Sequence, residues 1–179
     1  MHRKLLLSQL ENYSPEDANE RKMHSHVVEF VSSTPTCFNR EHSEGHITGS
    51  GWVTNKDFTK ALLIQHKLYK RWFQPGGHAD GESDILSVAR REVIEETGLK
   101  HITPYTTEIF DIDVHEVSFP NLHLHYDIRF LFIADELEPI RFQEEEVDDA
   151  RWISFEEILH FNDEESRKRM MRKTISLQK

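Results

Sequence analysis

The stretch that most constrains this chain runs from Pro75-Gly76-Gly77 through His78-Ala79-Asp80-Gly81-Glu82 to a periodic segment ending Arg90-Arg91-Glu92-Val93-Ile94-Glu95-Glu96-Thr97-Gly98-Leu99. Proline and two glycines break regular structure. Ile85, Leu86, Ala89 and Val93 then recur at helical spacing, which predicts a helix over about 84–97 pinned to a sheet by that stripe. At roughly 100° per residue, Glu92, Glu95 and Glu96 fall within about a 100° arc beside the stripe. Glu95 and Glu96 also lie near the helix C-terminus, where the dipole disfavours anions and a sequence chosen for stability would carry Lys or Arg. Carboxylates crowded in this way repel one another unless a hard divalent cation neutralises them, and Mg²⁺ held by a few carboxylates plus substrate phosphates is a common solution. Such a cation polarises a phosphoryl oxygen and lowers the pKa of a bound water, which suits diphosphate cleavage. Glycine permits close backbone approach, so the Gly76 carbonyl is a candidate further ligand. The plainer reading of an E-x-x-E-E run is a solvated acidic face.

Composition bounds the rest. A length of 179 residues predicts one domain with an appendage, and a 37% hydrophobic share is enough for one core. Lys and Arg number 22 against 32 Asp and Glu, and the resulting net charge of -10 repels polyanions, so nucleic acid is disfavoured as a partner. The single cysteine excludes an internal disulfide and any multi-cysteine zinc or iron–sulfur site, which fits a reducing compartment. No apolar run approaches a membrane span, and the Leu5-Leu6-Leu7 run is too short for a signal peptide. A cytoplasmic location without a membrane partner is the expectation.

Along the chain, residues 1–40 are expected to form a helical N-terminal extension, and residues 41–179 the main domain with its C-terminal helix. In the extension, Leu5, Leu6 and Leu10 keep helical spacing. Ser14-Pro15-Glu16-Asp17 reads as the start of a second helix carrying Met23, Val27, Val28, Phe30 and Val31, ended by Thr34-Pro35. Short strands are predicted at Ile47 to Val53, Ala61 to Ile64, Thr107 to Val117, Leu122 to Ala134 and Trp152-Ile153. Helices are expected from Ser154 to about 160 and from about 163 to 178. Strands interrupted by helices argue for an α/β layered domain.

The segment from Gly77 to Leu99 resembles the Nudix box of the Nudix hydrolases, G-x5-E-x7-R-E-U-x-E-E-x-G-U with U apolar. Gly77, Arg91, Glu92, Val93, Glu95, Glu96, Gly98 and Leu99 all fall in place. One position departs: Ser83 stands where the pattern has its first glutamate, and Glu82 lies one residue early. The likeness extends over about 46–160, through Gly45-His46-Ile47-Thr48-Gly49-Ser50, Leu62-Leu63-Ile64 with Trp72-Phe73-Gln74, and Glu146 six residues ahead of Trp152. It implies a Nudix-type α/β/α sandwich with a mixed sheet. The activity implied is a Mg²⁺- or Mn²⁺-dependent pyrophosphohydrolase, acting on a small nucleotide-type substrate in which a nucleoside diphosphate is linked to another moiety. By the same resemblance Arg91 would orient the glutamates, and Glu92 and Glu96 would ligate metal with Glu95 assisting. The base would lie in the box or in a late loop, where Glu146 is the candidate and Glu144 and Glu145 its neighbours. The alternatives are an isopentenyl-diphosphate-isomerase-like enzyme on the same fold and a nucleotide-sensing domain without turnover. The sensing domain is the weaker fit, because such domains typically lose box carboxylates.

Other residues carry weaker signals. Twelve His is a high count, and Asp113, His115, His123, His125 and Asp127 cluster. Residues two apart share a strand face, which allows a second metal site or a substrate-phosphate patch at His115, His123 and His125, against ordinary cross-strand pairing. His78 lies in the box loop, where phosphates must pass. Arg40 could meet a phosphate through its guanidinium fork or be an ordinary surface arginine. Tyr69, Trp72 and Phe73 could stack a base or be core, and Cys37 reads better as a small buried hydrophobe than as an isomerase nucleophile. The basic patch Arg167-Lys168-Arg169 with Arg172-Lys173 is expected to meet acidic surfaces or a sister subunit in a homodimer, with nucleotide contact the alternative.

Overall fold

Ten consecutive residues of one strand organise the molecule. In the computed structural model, which describes residues 2–161 and 165–178, the order is α1 (Lys4–Asn12), α2 (Ala18–Ser33), β1 (Gly45–Thr54), β2 (Lys60–His66), β3 (Arg71–Phe73), β4 (Gly76–His78) and α3 (Ile85–Thr97). It continues with β5 (Ile102–Pro104), β6 (Asp111–Val117), β7 (His123–Ala134), β8 (Val147–Ser154), α4 (Phe155–Phe161) and α5 (Glu165–Ile175). Strand β1 is buried along its whole length and pairs in parallel with β7 from Gly45↔Leu124 to Thr54↔Ile133. Its other edge is shared: β4 takes Thr48 to Ser50, and β2 takes Val53 and Thr54. Strand β7 is shared in the same way, by β6 over residues 123–129 and by β5 over residues 132–134. The sheet therefore forks on both sides, and β4 leaves one fork carrying the glycine pair.

Alternation sends the two faces of the sheet to different partners. Ile47, Val53, Ile128, Phe130 and Phe132 join Leu6, Leu10, Val27, Phe30 and Val31 of the N-terminal helices and Ile85, Val88, Ala89 and Val93 of α3 in one core. Trp52 and Leu131 pack on the opposite face with Phe155 and Ile158 of α4 and Met170 and Met171 of α5. Helices cover both faces, the α/β/α layering with a mixed sheet and helices at both ends that the resemblance implied. Helix α3 lies so close to β1 that a Cβ on Gly51 would sit 2.3 Å from Val93 Cγ2. No described helix is long and apolar enough to cross a membrane.

Several expectations need correcting. The second helix begins at Ala18, because Asp17 rather than Ser14 accepts the cap hydrogen bond from Glu20 N–H at 2.8 Å. Residues 107–110 precede β6 instead of belonging to it, and β8 spans Val147–Ser154 where only Trp152-Ile153 was expected. Gly76 and Gly77 pair as strand β4 although they were read as a break. Residues 163 and 164, where the last helix was expected to begin, lie outside the described residues.

Part of the basic patch is buried. Arg167 and Arg169 are 2% and 0% exposed, and α5 turns them inward. The Arg169 guanidinium donates to both oxygens of Asp111 at 2.8 Å and faces Glu20, and Lys173 Nζ donates to Asp111 at 3.0 Å and to Tyr13 Oη at 2.8 Å. Arg129, between strands β6 and β1, completes this buried ion cluster by donating to Asp113 and Asp127 at 2.8 Å each. These acids hold a chain of cations well above their ordinary range despite burial. The cluster ties α2, β6, β7 and α5 together, so Arg169 and Lys173 meet their acids within their own fold.

Candidate active site

The site is built where α3 meets β4. Asp84 caps the helix by accepting from Ser87 N–H at 3.3 Å and Ser87 Oγ at 2.8 Å. Glu82, displaced from the usual position, accepts the Ser83 and Asp84 N–H groups at 2.7 and 2.9 Å. It shapes the loop; Arg91 is held elsewhere. Arg91 Nη2 donates to the His78 carbonyl at 3.0 Å and to Glu92 Oε1 at 2.6 Å, and its Nε lies 3.9 Å from Glu95 Oε2. One guanidinium thus ties the helix to β4 and orients a carboxylate, as charge-assisted pairs do.

Glu92 and Glu96 face the glycine pair. A Cβ on Gly77 would lie 2.4 Å from Glu92 Oε2, so this carboxylate needs glycine as its neighbour. Gly76 N–H donates to Glu96 Oε2 at 2.9 Å. Burial pushes Glu96 up to about 8, opposed by the Gly76 bond and reinforced by Glu92, Glu146 and Glu95. Glu92 is raised for the same reason even with Arg91 beside it. Glu95 is half-exposed at the rim. Glu146 lies in the exposed turn before β8, its carbonyl accepting Lys67 N–H at 2.8 Å, and its charge is felt by both Glu92 and Glu96. The structure therefore brings together Gly76, Arg91, Glu92, Glu95, Glu96 and Glu146. A nearly buried carboxylate lifted to about 8, in a group of acids offset by one arginine, is a set of hard oxygen donors that a divalent cation fits.

The remaining candidates lie on the sheet face away from α3. His78, His115 and His125 gather there, with ring centroids of His78 and His115 at 5.2 and 5.6 Å from His125. Arg40 is gripped by both oxygens of Asp80, and its charge helps to lower His78 and His46. Burial is the main cause of the depressed histidines, His125 falling to about 2. His46, which no spacing argument singled out, lies at the centre of the group, with rings of His78, His123 and His125 at 4.8–4.9 Å. The aromatics near the glycines are used structurally: Trp72 stacks under the Arg151 guanidinium at 4.5 Å, and Phe73 packs edge-on to Tyr69. Cys37 is fully buried and pushed up to about 11, which suits a small hydrophobe and not a nucleophile.

A family profile described as the NUDIX domain matches residues 45–174, which takes in the forked sheet, the glutamate helix and α5. The chain belongs to the Nudix family. Its relatives include the human nucleoside diphosphate-linked moiety X motif 6, 37% identical over 84 residues, and phosphatase NudJ of Escherichia coli K12, 34% identical over 105 residues. These matches cover 42% and 56% of this chain but only 27% and 63% of those proteins. Among solved structures, a Caenorhabditis elegans Ap4A hydrolase complex superposes with a TM-score of 0.60 at 17% identity, covering 73% of this chain and 96% of that one. The NUDIX domain of Shewanella oneidensis NrtR complexed with ADP ribose superposes with a TM-score of 0.56 at 14% identity, covering 84% and 97%. At those identities the superpositions establish the Nudix fold alone.

Proposed function

We propose that this Nudix domain is a Mg²⁺- or Mn²⁺-dependent pyrophosphohydrolase. Its substrate would be a nucleoside diphosphate linked to another moiety, and its products a nucleoside monophosphate and a phosphorylated remainder. The observation that carries the reading is the convergence of Glu92 and Glu96 on the Gly76–Gly77 strand, with Arg91 clamping Glu92, Glu95 beside Arg91 and the charge of Glu146 felt by both. The superposed structures support the fold and leave the linked moiety open.

Glu92 and Glu96, with Glu95 at the rim and the Gly76 carbonyl, would hold the cation. When bound, it neutralises the diphosphate charge and acidifies a water. Arg91 positions Glu92 by fixing one of its oxygens. Glu146, in a turn outside the buried carboxylates, takes a proton from water as the water oxygen attacks phosphorus and the bridging P–O bond breaks. The electron pair of that bond leaves with the second phosphate. The lone buried cysteine fits a cytoplasmic setting.

A panel of nucleoside diphosphate sugars, dinucleoside polyphosphates, coenzymes and nucleoside triphosphates, assayed with Mg²⁺ and with Mn²⁺, tests the proposal through product identification. A nucleoside monophosphate and a phosphorylated remainder should form only with the cation and only with Glu92 and Glu96 intact. Turnover that survives Glu96→Gln at low metal would sink the assignment.

A further inference from the structure

Five imidazoles meet on the sheet face opposite α3, and the pairing of strands explains why. The parallel register sets His46 of β1 opposite His125 of β7, and the antiparallel register sets His115 of β6 opposite the same His125. His123 shares the His125 face two residues away, and His78 enters from β4, where it is paired with Thr48. Within this group His46, His123 and His125 each offer a nitrogen within 4.8 Å of the other two. His123 Nε2 and His125 Nε2 are only 3.1 Å apart. His46 is 3% exposed, and both its ring nitrogens are buried without a hydrogen-bond partner among the described residues. Leaving buried polar atoms unpaired costs stability, so this ring calls for an occupant of the space it faces.

We propose that His46, His123 and His125 form a site for a borderline divalent transition cation of the Zn²⁺ type, distinct from the oxygen-donor cluster on α3. Nitrogens bound to such a cation at about 2.0–2.1 Å in tetrahedral geometry stand about 3.3 Å apart, close to the spacing that His123 and His125 already keep. Closing the two edges to His46 takes a shift of at most about 1.5 Å, within the reach of a small side-chain rotation. His123 is already oriented: Nδ1 lies 2.7 Å from the Asn121 carbonyl, which can only accept, so Nδ1 carries the proton and Nε2 keeps its lone pair. A metal-bound histidine is commonly held through its other nitrogen in this way. Burial keeps His46 and His125 neutral, so no net proton need be released; the His125 Nε2 proton shared with the His123 lone pair moves to Nδ1 when a cation takes its place. Imidazoles select Zn²⁺-like cations, whereas Mg²⁺ seeks oxygen, so the two clusters should sort their cations by chemistry. Three histidines leave the fourth position open, as in sites that hold a water or a substrate oxygen.

Chelator-treated protein, kept in excess Mg²⁺ to occupy the carboxylates, is titrated with Co²⁺ while visible absorption and bound metal per chain are followed. One equivalent should bind with the ligand-field bands of a nitrogen-rich site of low coordination number, and Zn²⁺ should displace it. His123→Gln, at the half-buried rim, should weaken Co²⁺ binding at least tenfold while melting like the parent without metal. The triple variant Glu92→Gln, Glu95→Gln, Glu96→Gln should bind Co²⁺ as the parent does. Substitution of His46 could disrupt the buried layer, so the parent is also examined by histidine-selective NMR, in which Zn²⁺ must shift the ring nitrogens of all three residues. Absence of binding below millimolar Co²⁺, ring resonances that ignore Zn²⁺, or bands lost with the glutamates and kept in His123→Gln would each overturn the site.

Discussion

The carboxylates of α3 and the imidazoles across β4, β1, β7 and β6 lie on either side of one glycine-rich strand, yet burial acts on them in opposite senses. Both groups are pushed toward neutrality. For Glu96 that means keeping a proton up to about 8, and for His46 it means refusing one down to about 4. One cluster gathers oxygens whose charges repel, and the other gathers nitrogens that carry no charge. The contrast shows how the two faces of one sheet can offer hard and borderline donors.

The largest effect that separates the two concerns turnover. Glu96→Gln is expected to take activity below detection, because it removes a charged oxygen donor without changing volume, and a steady-state assay at low metal checks this. Glu146→Gln should lower kcat by roughly 10² to 10⁴ with little change in the melt, the size of acid–base assistance. Glu144→Gln and Glu145→Gln serve as controls; a large loss at either of them alone would move the base along the loop. Gly77→Ala should reduce kcat by roughly 10²-fold, because its methyl group displaces the Glu92 carboxylate that Arg91 holds. A rate like that of the parent would show that Glu92 has room to spare.

The smallest effect is on stability against pH without added cation, where the clusters should pull in opposite directions. Glu96 has a folded pKa of about 8 against 4.5 unfolded, so between those values the folded state holds the extra proton and stability falls as pH rises. His46 is at about 4 against 6.5 unfolded, so between those values the unfolded state holds the extra proton and stability falls as pH drops. His125, at about 2, adds to the His46 slope, so the melting temperature should decline as pH falls below about 6.5 and decline again as pH rises from there toward 8. Glu96→Gln should remove the alkaline decline and raise the melting temperature at pH 8 by roughly 5 °C. A melt with the same alkaline slope in the variant would show that the carboxylate is not strained.

The glutamate helix was legible because its apolar stripe and its acids share one local period, so Ile85, Ala89, Val93 and the Glu92, Glu95 and Glu96 arc could be read without knowing the fold. Strand β4 was not legible: Gly76 and Gly77 have no side chains to signal a strand, and their pairing comes from β1. His115, His123 and His125 could be grouped by alternation within β6 and β7. His46 could not, because its place opposite His125 follows from a parallel register between segments far apart in the chain. The basic segment of α5 was misread for a related reason. Charge in a sequence signals solvent unless acids await it inside, and Asp111 and Glu20 are contributed by distant elements.

That ion cluster also sets an order of events during synthesis. Asp111 and Glu20 are made well before Arg169 and Lys173, and both acids are fully buried in the finished fold. Withdrawing such acids from water before their partners exist would be costly, so the sheet edge around β6 should stay hydrated until α5 leaves the ribosome. Nascent chains arrested before residue 165 are therefore expected to be cut readily by protease around α2 and β6, and protection equal to that of the full chain would contradict this. Helix α5 thus acts as the latch on a structure whose glutamate site was laid out much earlier.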